Sequence, residues 1–256
     1  MLESMKRNVE AQQRFVADAA HQMRTPLTGL KTQAQFAIRE ADPEALRHAL
    51  RQIAVGVDRA GRLVNQLLTL ARAEGGEAAQ QSHEPLDLVA LVRDVVADWV
   101  TVALDKRIDL GFEADETAMV SGNVFLLQEL AKNLLDNALR YTPADGRVTC
   151  RVVCSAGKTI LEVEDNGVGI TEAQAEMVFE RFYRVDDAST EGSGLGLAIV
   201  QEIATQHNAT ASLRPNSAGR GAVARVIFPT WKPPPPPPPL PDDFSELYRQ
   251  SPPLGT

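Results

Sequence analysis

Ala19-Ala20-His21-Gln22-Met23-Arg24-Thr25-Pro26-Leu27 lies within an apolar seam formed by Val9, Val16, Ala20, Met23, Leu27, Leu30 and Ala34. The seam advances by alternating steps of three and four, which predicts one long amphipathic helix over residues 1–40. At roughly 100° per residue, His21 falls about 120° from the centre of the stripe and faces solvent from the side of a packed helix. Thr25, four residues on, shares that exposed face. Pro26 removes the bond to the Gln22 carbonyl and predicts a kink one turn after His21. It does not predict an end to the helix, because the seam continues through Leu30 and Ala34.

Outward from this stretch, Asp42-Pro43-Glu44 supplies an N-cap, a proline at the first helical position and an acid in the first turn. A second helix follows with the seam Leu46, Leu50, Ile53, Val57, Ala60, Val64, Leu67 and Ala71, widened by a second row, Ala49, Gly56, Leu63 and Leu70. Two apolar faces this wide cannot both be buried in one hairpin. Pairing two hairpins into a dimeric four-helix bundle buries them, so a homodimer is expected.

The chain has 256 residues, 44% of them hydrophobic, and a formal net charge of -8. That is enough for one large or two modest domains. The acidic balance, the absence of a basic patch and an aromatic content of 5% argue against a nucleic-acid partner. The richest apolar stretch, Leu86 to Leu104, is interrupted by Asp87, Arg93, Asp94 and Asp98, and reads as an amphipathic helix with no membrane contact. The polar N-terminus does not read as a signal peptide, so a cytoplasmic location is expected. Cys150 and Cys154 are about 13 Å apart along one predicted strand, too far for a disulfide, and are expected as buried reduced thiols.

Residues 1–73 thus form a helical hairpin. Glu74-Gly75-Gly76 through Pro85 is polar and turn-rich and reads as a linker over 74–85. Residues 86–230 carry a mixed pattern: helices near 88–104, 123–140 and 195–207, and strands near 107–113, 147–155, 159–165, 209–214 and 221–228. Residues 166–193 read as irregular. Paired strands with helices between them predict a two-layer α/β sandwich. From Trp231 the composition changes again. The run Pro233 to Pro239 favours an extended polyproline II rod, and 231–256 reads as a disordered tail.

Three motifs in the second domain carry chemistry. In Asn133-Leu134-Leu135-Asp136-Asn137-Ala138-Leu139-Arg140-Tyr141, Asn133 and Asn137 share a helix face and offer neutral oxygens suited to Mg²⁺ beside a polyphosphate. Alone, they read as two exposed polar residues on a surface helix. Asp165-Asn166-Gly167-Val168-Gly169-Ile170 puts a carboxylate at a strand end, followed by glycines that a flat ring can approach closely. Gly192-Ser193-Gly194-Leu195-Gly196-Leu197-Ala198 opens a helix and presents backbone N–H groups to phosphate. It follows no β-strand of a βαβ unit and lacks the Lys-Ser/Thr of a P-loop, so it is neither a Rossmann nor a Walker site.

With the His21 segment, the order and spacing of these motifs resemble the sensor histidine kinases of bacterial two-component systems over roughly residues 1–230. The stretch around His21 is similar to that family's H box and Asn133–Tyr141 to its N box. Asp165–Ile170 resembles the G1 box, Phe179-Glu180-Arg181-Phe182-Tyr183-Arg184 the F box, and Gly192–Leu197 the G2 box.

The resemblance implies a fold of a dimeric four-helix bundle followed by an α/β sandwich ATP-binding domain. It implies that His21 accepts the γ-phosphoryl group of ATP and that Asn137, with Asn133, holds Mg²⁺. Arg140 and Tyr141 would line the nucleotide site, Asp165 would accept the adenine amino group, and Gly167 and Gly169 would admit the ring. Residues 171–193 would form a mobile lid carrying Phe182 and Arg184, with Arg184 reaching the γ-phosphate. Gly194, Leu195, Gly196 and Leu197 would meet the phosphates at the helix start. The implied partner is a response regulator receiver domain, phosphorylated on Asp. Regulator phosphatase action is a second implied activity, with Thr25 at the position that orients water. The implied setting is the cytoplasmic part of an inner-membrane sensor.

The family usually has an acid directly after the histidine, and here the residue is Gln22. An amide can orient the imidazole but cannot take its proton, so slower or more pH-sensitive autophosphorylation is expected. The alternatives are a non-kinase ATPase of the same nucleotide-binding superfamily, against which the H and F boxes speak, and a dimeric scaffold with weak catalysis, against which the Asn and Gly motifs speak.

Overall fold

A computed structural model of the chain describes residues 2–74, 83–185, 192–217, 219–229 and 231. Two long helices open it, α1 (Leu2–Arg39) and α2 (Pro43–Glu74), packed as an antiparallel hairpin. Helix α1 continues through Pro26, as the unbroken seam predicts. Helix α2 starts where Asp42 caps it, the Asp42 carboxylate accepting the Ala45 N–H at 3.0 Å. The apolar stripe of α2 divides. Ala49, Leu63 and Leu70 are buried, while Leu50, Val57 and Val64, seven residues apart, stay 53%, 54% and 38% exposed. The first row faces the rest of the chain, and the second has no cover within one chain.

Strand β1 (Glu84–Asp87) comes next, followed by α3 (Leu88–Asp105), β2 (Asp109–Ala114), β3 (Met119–Gly122) and α4 (Val124–Tyr141). Then come β4 (Arg147–Ser155), β5 (Lys158–Asp165), α5 (Glu172–Met177), α6 (Gly196–Gln206), β6 (Thr210–Pro215) and β7 (Ala222–Pro229). Five strands form one mixed sheet in the order β2-β4-β5-β7-β6. β2 and β4 run parallel, with α4 within the crossover that such a pair requires, and the other pairs are antiparallel. A separate two-stranded sheet joins β1 to β3.

One face of the five-stranded sheet supplies Val148, Cys150, Val152, Leu161, Val163, Val226 and Phe228 to a core completed by α3, α4 and α6. The cross-strand positions between them carry charge. Arg151 bridges Glu113, Glu162 and Glu164, and Arg225 pairs with Glu162. The period of two thus sorts a dry face from a wet one, which makes the predicted two-layer α/β sandwich.

Three elements depart from the sequence reading. β1 begins at Glu84, inside the stretch expected to be linker, and pairs through Leu86↔Val120 with β3, which was not expected at all. Helix α5 lies in the stretch read as irregular. Cys150 is buried, and burial pushes its thiol up to about 12, but Cys154 is exposed at the end of β4 beside the turn into β5. It shares the inward alternation of Cys150 and has run past the core. Trp231 is still tied to the fold, its N–H bonding the Met119 carbonyl at 3.3 Å. Most of the linker, part of the lid and the proline tail beyond Trp231 lie outside the described residues.

Candidate functional site

A cavity of about 570 Å³ opens beside α4, β5 and the start of α6. Each wall follows from local sequence. Helix α4 is capped by Asn123, whose side chain accepts the Leu126 N–H. Its apolar side (Leu127, Leu130, Leu134) packs into the core, and Asp136, Asn137, Arg140 and Tyr141 are left on the cavity side. β5 ends at Asp165, and the chain turns through Gly169, Ile170 and the capping box of α5. Helix α6 has Leu195 as its N-cap with no side-chain cap of its own, so first-turn N–H groups remain for a ligand.

Asp165 is the buried acid of the site. Its Oδ1 accepts the Gly167 N–H at 2.8 Å and the Ala222 N–H at 3.3 Å. Both bonds converge on one oxygen, which leaves Oδ2 as the acceptor for a ligand. Burial raises its pKa from the ordinary carboxylate value, and the two N–H bonds oppose that rise. The turn is held by close backbone packing. A Cβ on Gly221, whose φ is +114°, would stand 1.9 Å from the Asp165 carbonyl oxygen.

The predicted residues separate into three groups. Asn137, Arg140, Tyr141, Asp165, Gly169, Arg184, Gly194, Gly196 and Leu197 line the cavity together. Asn133, Gly167, Phe182 and Leu195 lie behind it. Asn133 is buried, and its Nδ2 donates to the Glu129 carbonyl at 2.8 Å. Gly167 is pressed against the Tyr141 carbonyl, 2.3 Å from where its Cβ would be. Phe182 takes φ +64°, and its N–H bonds the Gly194 carbonyl at 2.9 Å, clamping the glycine loop. Leu195 is fully buried in the core. His21, Gln22 and Thr25 form the third group. They sit on α1, His21 and Thr25 exposed, and none of them lines the cavity.

Sequence reasoning missed several lining residues. Val163, Leu213 and Ala224 come from the inward alternation of β5, β6 and β7, a pattern visible in the sequence but not assignable to one pocket without the strand order. Ser193 and Gln66 were also missed. Gln66 belongs to α2, far away in sequence, and its side chain accepts the Ser193 hydroxyl at 2.6 Å.

The carboxamides of Asn133 and Asn137 both come near Gly196. A Cβ there would be 3.1 Å from Asn133 Oδ1 and 3.7 Å from Asn137 Oδ1. The nearer Asn137 atom is its Nδ2 at 3.5 Å, so with that amide turned the pair would offer neutral oxygens to a Mg²⁺ that keeps most of its water. Arg140 is tied to Asp136 at 2.5 Å and extends past Gly192, where a Cβ would stand 2.3 Å from its Nη1.

Comparison with known proteins agrees with this geometry. Residues 11–76 match the His Kinase A (phospho-acceptor) domain, and residues 122–232 match the Histidine kinase-, DNA gyrase B-, and HSP90-like ATPase family. The chain is 40% identical over 234 residues to the sensor protein kinase PmrB of Pseudomonas aeruginosa, covering 91% of this chain and 49% of that protein. It is 41% identical over 198 residues to the sensor protein QseC of Escherichia coli, covering 77% of this chain and 43% of that protein. The chain spans about half the length of the curated relatives it matches. Among solved structures, the histidine kinase AdeS of Acinetobacter baumannii superposes with a TM-score of 0.64 at 25% identity, covering 83% of this chain and 98% of that one. With a phospho-acceptor hairpin, an ATPase sandwich behind it and these relatives, the chain belongs to the bacterial two-component sensor histidine kinases.

Proposed function

We propose that this chain binds ATP and Mg²⁺ in the α4–β5–α6 cavity and phosphorylates itself on His21. The observation that carries this reading is the grouping of Asn137, Asp165, Gly169, Gly194 and Gly196 around one cavity, from three sequence segments that share no contact in the primary structure. Asp165 Oδ2 receives the adenine amino group, and the apolar wall of Val163, Ile170 and Leu213 holds the ring. The α6 N-terminus and Arg184 take the phosphates. Asn137 would hold Mg²⁺, with Asn133 behind it. The ion would neutralise charge on the transferring phosphates.

Phosphoryl transfer needs positioning and charge neutralisation more than covalent help. The neutral His21 imidazole attacks the γ-phosphorus through Nε2, the bond to the bridging β–γ oxygen breaks, and ADP departs. The Nδ1 proton is then lost to solvent, since Gln22 has no lone pair basic enough to hold it. His21 does not line the cavity, so the ATP-binding domain has to move relative to the hairpin for transfer. We read residues 1–73 as the dimerisation and phosphotransfer unit, 74–85 as the linker, 86–230 as the ATP-binding unit and 231–256 as an appended tail. No helix among the described residues is long and apolar enough to cross a membrane. We place the chain as the cytoplasmic part of a membrane sensor that passes the phosphoryl group to an Asp of a response regulator receiver domain. Thr25 would orient water in the reverse, phosphatase direction.

Incubation with γ-labelled ATP and Mg²⁺ tests the core of this reading. The label is expected on the chain in an alkali-stable, acid-labile form. It should disappear in His21→Ala and in Asn137→Ala. Full labelling of His21→Ala would place the acceptor elsewhere.

A further inference from the structure

Helices α4 and α6 touch through polar groups at both ends. Near the cavity, the Asn133 and Asn137 carboxamides approach Gly196, the first residue of α6. At the opposite end, His207 fastens α6 to the start of α4. Its Nε2 accepts the backbone N–H of Asn123, the N-cap of α4, at 3.1 Å. The ring is therefore the Nδ1–H tautomer, and Nδ1 donates to the Ile203 carbonyl at 2.7 Å. His207 is 3% exposed. His83 stacks on it at 4.4 Å between ring centroids, and a Cβ on Gly122 would stand 2.7 Å from its Cδ2. The ring is thus held at both nitrogens, on one face and along one edge.

These contacts make the two helices antiparallel. Between the ends their contact is apolar, with Leu127, Leu130 and Leu134 of α4 in one core cluster with Ile199 and Ile203 of α6. Aliphatic packing is non-directional and tolerates small axial shifts. A hydrogen bond has a narrow range of distance and angle, and a satisfied buried one specifies a single arrangement. The His207–Asn123 bond therefore fixes where α4 sits along α6. A shift there is carried by both helices to the other end, about 20 Å along α4. It would change the approach of Asn133 Oδ1 to Gly196, where a Cβ would be 3.1 Å away. The adenine end of the cavity stands on other elements. Asp165 and Gly169 follow from β5, and Val163, Leu213 and Ala224 lie on the sheet.

We propose that His207 is a positioning residue for the polyphosphate and metal end of the nucleotide. It touches no ligand. It acts through Asn123, by setting the register of α4 against α6 that brings Asn133 and Asn137 to the start of α6. The adenine end is independent of it. The inference rests on the nucleotide reading of the cavity.

The test uses the full chain and measures ADP with Mg²⁺, and adenosine, by competition against a fluorescent ATP analogue. His207→Leu keeps the apolar bulk and loses both hydrogen bonds. It is expected to weaken ADP with Mg²⁺ by about tenfold, at the low end of what outer partners of a metal site are worth, and to leave adenosine within about twofold. Two conservative variants separate the bonds and decide the matter if His207→Leu does not fold. In His207→Gln the side-chain oxygen reaches the place of Nε2 and keeps the bond to Asn123. In His207→Asn the amide nitrogen replaces Nδ1 and keeps only the bond to Ile203. The Gln variant should bind ADP with Mg²⁺ within about twofold of wild type, and the Asn variant should lose about tenfold. A role confined to closing the end of α6 predicts the reverse order. If the Gln and Asn variants bind ADP alike, or if adenosine weakens in step with ADP, the positioning role is wrong. If wild type binds neither ligand, the nucleotide reading fails and the positioning role falls with it.

Discussion

At the scale of single residues, the chemistry turns on two side chains that are near neighbours of better-known ones. Gln22 stands where the family usually carries an acid. An amide orients by hydrogen bonding but accepts no proton, so in the proposed reaction the proton lost from His21 would go to solvent. Gln22→Glu is expected to raise the autophosphorylation rate roughly tenfold, less than the 10²–10⁴-fold that a fully positioned base supplies, and to flatten its pH dependence. The check is the initial rate of label incorporation between pH 6 and 9. An unchanged rate would show that the base is not limiting. Asp165 shows the opposite case. Its sequence position already marked it, and burial with two N–H donors on one oxygen makes it a directional acceptor.

At the scale of elements, the ends of helices and strands carry the information. Asp42, Asp87, Asn123 and Thr171 cap four of the helices with side-chain bonds. Helix α6 is left uncapped by its Leu195, at the end that faces the cavity. The far end of α6 is fastened by His207. Its Nε2 accepts the Asn123 N–H at 3.1 Å, so Nδ1 carries the proton and donates to the Ile203 carbonyl at 2.7 Å. His83, at the start of β1, stacks on it at 4.4 Å between ring centroids. Burial lowers the pKa of His207 to about 4, and burial lowers that of His83 too. Both rings are held neutral in the fold but accept protons near pH 6.5 when unfolded. Stability is therefore fully present above about pH 6.5 and falls as the pH drops toward 4, by on the order of 3 kcal/mol from His207. Melting temperatures should drop between pH 7.5 and 5, and the His207→Gln variant should show a shallower slope. Equal slopes in the two proteins would remove His207 from the account.

At the scale of the whole molecule, the row Leu50, Val57 and Val64 remains uncovered in one chain. Leu27 on α1 is likewise 53% exposed, though the seam marks it as a core position. An apolar stripe at a seven-residue step is what a second hairpin covers in a four-helix bundle. Light scattering at micromolar concentration should give the mass of a dimer. Val57→Asp should give half that mass with helix content largely retained. A monomeric wild type would overturn the bundle.

Much of this fold was readable from periodicity. The three-four seams marked both hairpin helices, and alternation marked all five strands of the main sheet within about two residues, because a buried stripe leaves a repeat in the chain that makes it. Helix α5 was readable in principle from Thr171 and Gln174, a capping box at its proper spacing. β1 and β3 were not. Each is four residues long, β1 contains Pro85, and each is a strand only because the other is there to accept its hydrogen bonds. The candidate site divides along the same line. Candidate residues marked by a local turn, a helix face or a helix start, such as Asp165, Asn137 and Gly194, could be named from the sequence itself. Which of them face the cavity, and that Gln66 reaches it from α2, was decided by tertiary structure. A contact across 127 residues leaves no periodic trace in the chain and exists only once α2 has docked on α6.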